Sequence, residues 1–371
     1  MRQRASSVQL QRPRTSKTMT KPTVLVTGAT GFLGRHVLTA LGVLRPDLRP
    51  LALVRHPAEW QRMDWTKDFP DVQVIQGSVT DDQGWTNTPQ LQGLVGIFHL
   101  AAVVQHSRRN TQHVYDTNIG GTLRMVRLAA KTRCRLVFVS TSGTVGCFTN
   151  PRDQADEDAP YCDKLARRWP YYDSKIKAER QARALAVELG VAMTVIRPPV
   201  LLGPGDHKFR SSGNVLKFLR HKLPFVLSGG MNFTDIRDAA TAIVRAIDHP
   251  AGRPIYHLPG TETSVGDFFQ LCQQVSGVIA PTRVLPTRAA HALASAAARA
   301  TALWPGAHSP LPDPVVIEMG SRWWGLKSRY AAKELGYQPR PARQTLADTI
   351  EWLRHNHPDL LRELALKGPG I

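Results

Sequence analysis

The sequence predicts an α/β protein: a doubly wound parallel sheet of Rossmann type with a smaller C-terminal substrate lobe. Three observations carry this expectation. Six short β-branched runs are apolar from end to end rather than alternating, as strands covered on both faces are. Helix-period segments separate them, and right-handed crossovers then make neighbouring strands parallel. The first run also enters a glycine turn that opens a helix, the arrangement at which doubly wound sheets bind dinucleotides.

The 371 residues allow two or three domains at about 150 residues each. With 42% hydrophobic and 21% charged residues, the chain is neither disordered nor collagen-like. Residues 1–22 carry Arg2, Arg4, Arg12, Arg14, Lys17 and Lys21, no acid, and no apolar core of a secretory signal. They read as a disordered basic leader, or as residues before a true start at Met19. Their Arg- and Ser-rich composition leaves organellar targeting open.

The strands follow at 23–27 (TVLVT), 50–54, 72–76, 95–100, 135–140 and 193–197, with clear helical patterns over 32–44, 108–132 and 171–189. Beyond about residue 200 the regularity fades as Pro and Gly cluster at 203–205, 224–230 and 250–260. The stretch 234–250 reads as a helix rejoining the sheet layer, entered through Asp235 and Asp238. A last helix covers 342–355. The expected division is therefore a dinucleotide domain over 23–200, rejoined by 234–260, and a substrate lobe over 201–233 and 261–371.

The net charge of +19 is spread along the chain. Outside the leader there is no run of five or six like charges and no aromatic interleaving, so nucleic acid is not an expected partner. An anionic cofactor or a membrane surface would use the same balance. Cys134, Cys147, Cys162 and Cys272 are far apart, which supports neither a disulfide framework nor a metal site and fits a reducing, cytoplasmic setting. No apolar run reaches the 18 or so residues of a membrane span. The Ala-rich segment 288–304 reads as a packed helix of the small lobe, though its basic and apolar residues are compatible with peripheral membrane contact.

The turn after the first strand contains Gly28, Thr30, Gly31, Phe32, Leu33 and Gly34 in a G-x-x-G-x-x-G spacing. Gly28 suits a tight turn, Gly31 lets backbone approach a pyrophosphate, and Gly34 lets helix and strand close up. The helix N-terminus then faces the phosphates with free N–H groups. The second strand ends in Arg55-His56-Pro57, with no acid before Glu59. NAD enzymes usually place an acid there for the ribose 2′-hydroxyl, whereas a guanidinium suits a 2′-phosphate. NADP is therefore the expected cofactor, with NAD as the alternative and Arg55 as the discriminating residue.

Tyr171 and Lys175 lie one helical turn apart and share a face. A neighbouring ammonium favours the phenolate of a tyrosine whose ordinary pKa is about 10, as acid–base work near neutrality requires. The fifth strand ends in Ser140-Thr141-Ser142-Gly143-Thr144, hydroxyls that can hold a substrate oxygen or satisfy the backbone of the turn.

With these three features in order the chain resembles the extended short-chain dehydrogenases/reductases. TGATGFLG (27–34), HLAA (99–102), NIGGT (118–122), VSTSGT (139–144), YYDSK (171–175) and RPPVLLGPGD (197–206) carry the resemblance. The LVRHP turn and the tail over 330–353 look like dihydroflavonol 4-reductase-like members; 3β-hydroxysteroid dehydrogenases and hopanoid-associated sugar epimerases are close cousins. The resemblance implies Tyr171 as general acid/base, and Lys175 as its activator and a ligand of the cofactor ribose. Thr141 would be the third catalytic residue, with Ser142 beside it. Leu100, Ala101 and Ala102 would line the cofactor path, and Pro198, Pro199 and Val200 would lie by the nicotinamide. Asn118 matches the family's crossover-helix Asn. Ser78 stands where the family commonly has an adenine-holding Asp, and Thr141 where it usually has Ser.

The expected function is an NADP-dependent oxidoreductase interconverting a carbonyl and a secondary alcohol on a small apolar substrate of isoprenoid, steroid or flavonoid type. The alternative is a nucleotide-sugar 4-epimerase or dehydratase with tightly held NAD, for which His207, Lys208, Arg210 and Asn214 could meet a diphosphate. A non-enzymatic NADP sensor on the same fold has no need of Thr141, Tyr171 and Lys175. A homodimer is compatible with the resemblance.

Overall fold

The computed structural model describes residues 21–302 and 311–362, apart from 82 and 250–252. The basic leader up to residue 20, Leu303 and Trp304 of the Ala-rich segment, and the end of the lobe after 362 lie outside the described residues. Among the described residues no helix is long and apolar enough to cross a membrane.

The central sheet contains β1 (Thr23–Thr27), β2 (Arg49–Val54), β3 (Gln73–Gln76), β4 (Leu94–His99), β5 (Arg135–Val139), β6 (Met193–Arg197) and a seventh strand, Ile255–His257. Its order is Ile255–His257, β6, β5, β4, β1, β2, β3. Every pairing is parallel. The seventh strand was absent from the sequence reading, because three residues behind a Pro/Gly cluster give no periodicity to detect.

All five residues of β1 are fully buried, which is why the strand reads as continuous rather than alternating. Its side chains still alternate between two cores. Val24 and Val26 pack with helix α1 (Phe32–Leu44) and the helix Ile236–Arg245. Leu25 packs with the helices Gly121–Thr132 and Pro170–Glu188 through Met125 and Ala182. Asp235 caps the helix at 236, its side chain accepting from the Arg237 amide. The expected helix over 108–132 starts later, at Gln112, and passes through a π-helical turn at Asp116–Gly120.

The strand order reverses between β1 and β4, so their carboxyl ends diverge and leave a crevice. The register sets Thr27 beside His99, and His99 beside Phe138 of β5. Five short strands past residue 200 were not read from sequence. Val200–Leu202, Gly230–Asp235 and Thr261–Ser264 form one small sheet, and Val226–Leu227 with Val284–Leu285 a second. Segments such as TETS are too short and polar to announce a strand. A separate core of Phe218, Phe233, Phe268, Leu346 and Ile350 joins these strands to the helices Gly213–Leu219, Val265–Ser276 and Ala342–Asn356. The Ala-rich helix spans Thr287–Ala302 and buries Ala290 and Ala294 against Ile317.

Candidate active site

At the β1 turn, Gly28 adopts φ +72°, and a Cβ there would stand 2.8 Å from the Ala101 amide nitrogen. A Cβ on Gly34 would stand 2.3 Å from the Gly28 carbonyl oxygen. Side chains at these two positions would fill the space in which turn, helix and β4 loop close on one another. Gly31 stands at the N-cap of α1, where no side chain caps the helix and no acid occupies the first turn. The first N–H groups are therefore left for an anion, as a dinucleotide pyrophosphate needs. The loop after β4 is tied to this turn: the Leu100 amide donates to the Thr27 carbonyl at 3.3 Å, and the Ala101 amide to Thr27 Oγ1 at 3.2 Å. Ala102 is exposed next to them.

Arg55 is exposed directly after β2, and among the described residues no carboxylate pairs with it. Glu59, the first acid downstream, is also exposed. Ser78 turns its hydroxyl to Thr80, 2.8 Å away, and sits in the turn after β3.

At β5, Thr141 starts a single 3₁₀ turn and its Oγ1 accepts from the Gly143 amide at 3.3 Å. The Ser142 amide donates to the Pro198 carbonyl at 2.8 Å, which brings Pro198 beside the same edge; Val200 follows, exposed. Burial pushes Tyr171 up to about 12, and the Thr141 hydroxyl opposes that shift. This departs from the expected acidification by Lys175. The lysine ammonium is engaged elsewhere, donating to the Val139 carbonyl at 2.7 Å and standing 4.4 Å over the Phe138 ring. Burial lowers Lys175 from its ordinary 10.5 to about 7, with Glu179 opposing.

Below Lys175 lies a charged network that sequence reading missed. Glu179 and Arg197 are both buried and pair with each other. Glu179 also accepts from Ser140 Oγ at 2.7 Å and Tyr161 Oη at 3.0 Å. Arg197 Nη1 lies 3.1 Å from His257 Nε2. Burial favours the neutral acid, yet the Arg197 charge and these hydrogen bonds hold Glu179 below its usual range. One signal was available: Tyr171, Lys175 and Glu179 repeat every four residues along one helical stripe.

Asn118, placed by the π-helical turn, clamps the β4 loop. Its Oδ1 accepts from the Val103 amide at 2.8 Å, and its Nδ2 donates to the Val103 carbonyl at 3.0 Å and to Ser174 Oγ at 2.9 Å. Tyr172 stacks on Trp324 with ring centroids 5.0 Å apart, and Trp169 packs against both. An aromatic wall, to which the small lobe contributes Trp324, thus adjoins Tyr171. Trp323 instead covers Gly230. Of the four polar residues considered for a diphosphate, Arg210 acts electrostatically on His106, while His207 turns to Arg35, 3.2 Å away, and Trp352.

A buried lysine with depressed basicity destabilises its fold. A shift from 10.5 to about 7 corresponds to several kcal/mol at about 1.4 kcal/mol per tenfold. Losing the hydrogen bond to Val139 would cost about 1–3 kcal/mol in return. Lys175→Met is therefore expected to stabilise the folded chain by on the order of 1 kcal/mol at pH 7. The folded pKa lies below the unfolded one, so stability of the native lysine form rises with pH between about 7 and 10.5. The gain from Met should shrink over that range, as denaturant unfolding at pH 7 and pH 9.5 will show.

Residues 24–258 match the model of the NAD dependent epimerase/dehydratase family. Over its length the chain is similar to a Synechocystis protein bearing the provisional name dihydroflavonol 4-reductase, with 26% identity across 90% of this chain and 94% of the relative. It is similar also to sterol demethylase protein B of Methylococcus capsulatus, with 25% identity across 90% and 98%. Among solved structures, UDP-glucuronic acid 4-epimerase of Bacillus cereus in complex with UDP-glucuronic acid and NAD superposes with a TM-score of 0.68 at 17% identity, covering 90% of this chain and 100% of the epimerase.

Proposed function

Because this chain belongs to the NAD dependent epimerase/dehydratase family, and so is an NAD(P)-dependent enzyme of the extended short-chain dehydrogenase/reductase type, we propose that it is an NADP-dependent oxidoreductase interconverting a carbonyl and a secondary alcohol on a small, largely apolar substrate. The observation that carries this reading is that Thr141 at the end of β5 and Tyr171, with Lys175 one helical turn on, come together at the carboxyl edge of the sheet, where Lys175 Nζ donates to the Val139 carbonyl at 2.7 Å. In it, residues 23–200 and 234–260 hold the cofactor, and 201–233 with the chain after 261 holds the substrate.

A bound nicotinamide dinucleotide supplies or accepts the hydride. Gly28, Thr30, Gly31, Phe32, Leu33 and Gly34 would hold its pyrophosphate, and Leu100, Ala101, Ala102, Pro198 and Val200 its nicotinamide side. The Tyr171 hydroxyl gives its proton to the substrate oxygen during reduction and takes it back during oxidation. Thr141 donates to that oxygen and fixes it against Tyr171. Lys175 positions the ribose and, when protonated, stabilises the phenolate. The half-buried rings of Tyr172 and Trp324, backed by buried Trp169, would exclude water and favour an apolar ring system.

Arg55 supports NADP, since an exposed guanidinium that pairs with no carboxylate among the described residues suits a 2′-phosphate. Titration of the purified protein with NADPH and NADH tests this. NADPH should bind more tightly, and Arg55→Asp should weaken NADPH by about 10–100-fold while sparing NADH. NAD that co-purifies and does not exchange would instead support a nucleotide-sugar epimerase or dehydratase.

A further inference from the structure

The small lobe carries a surface that neither the acid–base pair nor the cofactor cradle uses. From residue 268 to residue 312 the chain contains no Asp or Glu, yet Arg283, Arg288 and Arg299 fall in that stretch. All three arginines are exposed, and among the described residues no carboxylate pairs with them. The same stretch holds Ile279, Val284 and Leu293, which are 77%, 58% and 55% exposed. A single apolar side chain in water is ordinary; three in one acid-free segment that also presents unpaired arginines ask for a partner that is both apolar and negative.

The Ala-rich helix Thr287–Ala302 shows how the two characters are arranged. Its inner side packs Ala290 and Ala294 against Ile317, with Leu285 and Leu227 alongside. The opposite side is exposed, with Leu293 between Ala289, Ala292 and Ala296, and with Arg288 and Arg299 together along one edge. At about 100° per residue these positions span an arc of about 140°. Arginine stems can lie along such a surface with their charged ends at its margin. A helix that is apolar on its outer side, cationic at the edge and free of acid suits the plane of a bilayer interface. The outer side offers no aromatic anchor of the kind that dominates protein–protein interfaces, and no ring on which a base could stack. The net charge of +19 draws the whole molecule toward an anionic surface in the same sense.

This helix is tied to the substrate side of the molecule. His291 Nε2 lies 3.1 Å from Glu318 Oε1. Glu318 Oε2 accepts from Trp169 Nε1 at 3.0 Å and from Arg108 Nη2 at 2.7 Å. Trp169 precedes the Tyr171 helix and packs against Tyr172 and Trp324. One carboxylate therefore joins the Ala-rich helix to the aromatic wall beside Tyr171.

We propose that the outer face of the helix Thr287–Ala302 is a docking surface for an anionic phospholipid bilayer, on which the protein lies peripherally, Leu293 entering the interface and Arg288 and Arg299 meeting lipid phosphates. Vesicle binding needs no turnover, so this assignment stands or falls apart from the carbonyl-reductase reading.

The test sediments the full chain with vesicles containing about one-third phosphatidylglycerol in phosphatidylcholine, and with phosphatidylcholine alone, at about 0.1 M and about 0.5 M salt. The native protein should bind the anionic vesicles at least about tenfold more tightly than the neutral ones, and high salt should remove most of the difference. An arginine near such a surface contributes about fivefold to partitioning, so the double variant Arg288→Gln/Arg299→Gln should bind at least about tenfold more weakly. Leu293→Asp should lose a similar factor, which a purely ionic contact would not. The leader is itself basic, so a chain with Arg2→Gln, Arg4→Gln, Arg12→Gln, Arg14→Gln, Lys17→Gln and Lys21→Gln is the control; its binding should still fall when the helix changes are added. The helix substitutions are at exposed positions and should leave the unfolding midpoint unchanged. Failure to bind anionic vesicles, equal binding to both vesicle types, or binding that depends on the leader and not on the helix overturns the proposal. So does a native chain that stays off vesicles but changes its oligomeric state with Leu293→Asp, which would give this face to a second copy.

Discussion

Tyr171→Phe is expected to lower kcat by about 10²–10⁴-fold, the usual contribution of a positioned proton donor, while leaving NADPH affinity within about twofold. Tyr172→Phe is the matched control. The two rings are neighbours, but Tyr172 stacks on Trp324, whereas the Thr141 hydroxyl opposes the burial-driven shift of Tyr171. Loss of turnover in the Tyr171 variant alone would assign the proton to it; loss in the Tyr172 variant alone would move the assignment. The pH dependence follows from the same environment. With Tyr171 pushed up to about 12, the phenol is protonated at neutral pH and ready to act as an acid. Carbonyl reduction should therefore change little between pH 6 and 8, whereas alcohol oxidation, which needs the phenolate, should accelerate as pH rises. A flat profile in the oxidative direction would count against Tyr171 as the base.

Glu179→Gln should produce the largest loss of stability, about 3–5 kcal/mol by denaturant unfolding, because it leaves the Arg197 charge buried without its counter-ion. The double variant Glu179→Gln/Arg197→Met should recover much of that loss, since an uncompensated charge costs more than the intact pair contributes. The sign with pH is also set. Glu179 sits below its ordinary range in the fold, so its contribution is present above about pH 4.5 and disappears as acid is added. Removing the Glu179 charge should in addition lower Lys175 further, because Glu179 is the group that raises it. An unfolding midpoint unchanged by Glu179→Gln would show that the network carries no net stability.

Much of the architecture was legible because burial on both faces writes itself into local sequence. β1, α1, β6 and the helix at 342 were placed nearly to the residue, since each is a run whose period and termini are local properties. The Tyr171–Lys175 stripe and the glycine turn were equally readable, because their spacing within one element is what lets the residues act together. The strand Ile255–His257 and the five short strands of the lobe were not. Their stability comes from neighbours distant in sequence, and two to six residues leave no period to recognise.

Residue type and spacing within single elements were enough to read the sheet, its glycine turn and the acid–base candidates. Packing between elements set the surroundings of those candidates. It drew the Lys175 ammonium to the Val139 carbonyl, buried Glu179 against Arg197 from a different strand, and brought His106 to the edge of Tyr171 from a loop 65 positions upstream. Desolvation, charge pairing and orphaned polar atoms arise between elements when chain segments far apart in sequence are packed together, and no local pattern records them.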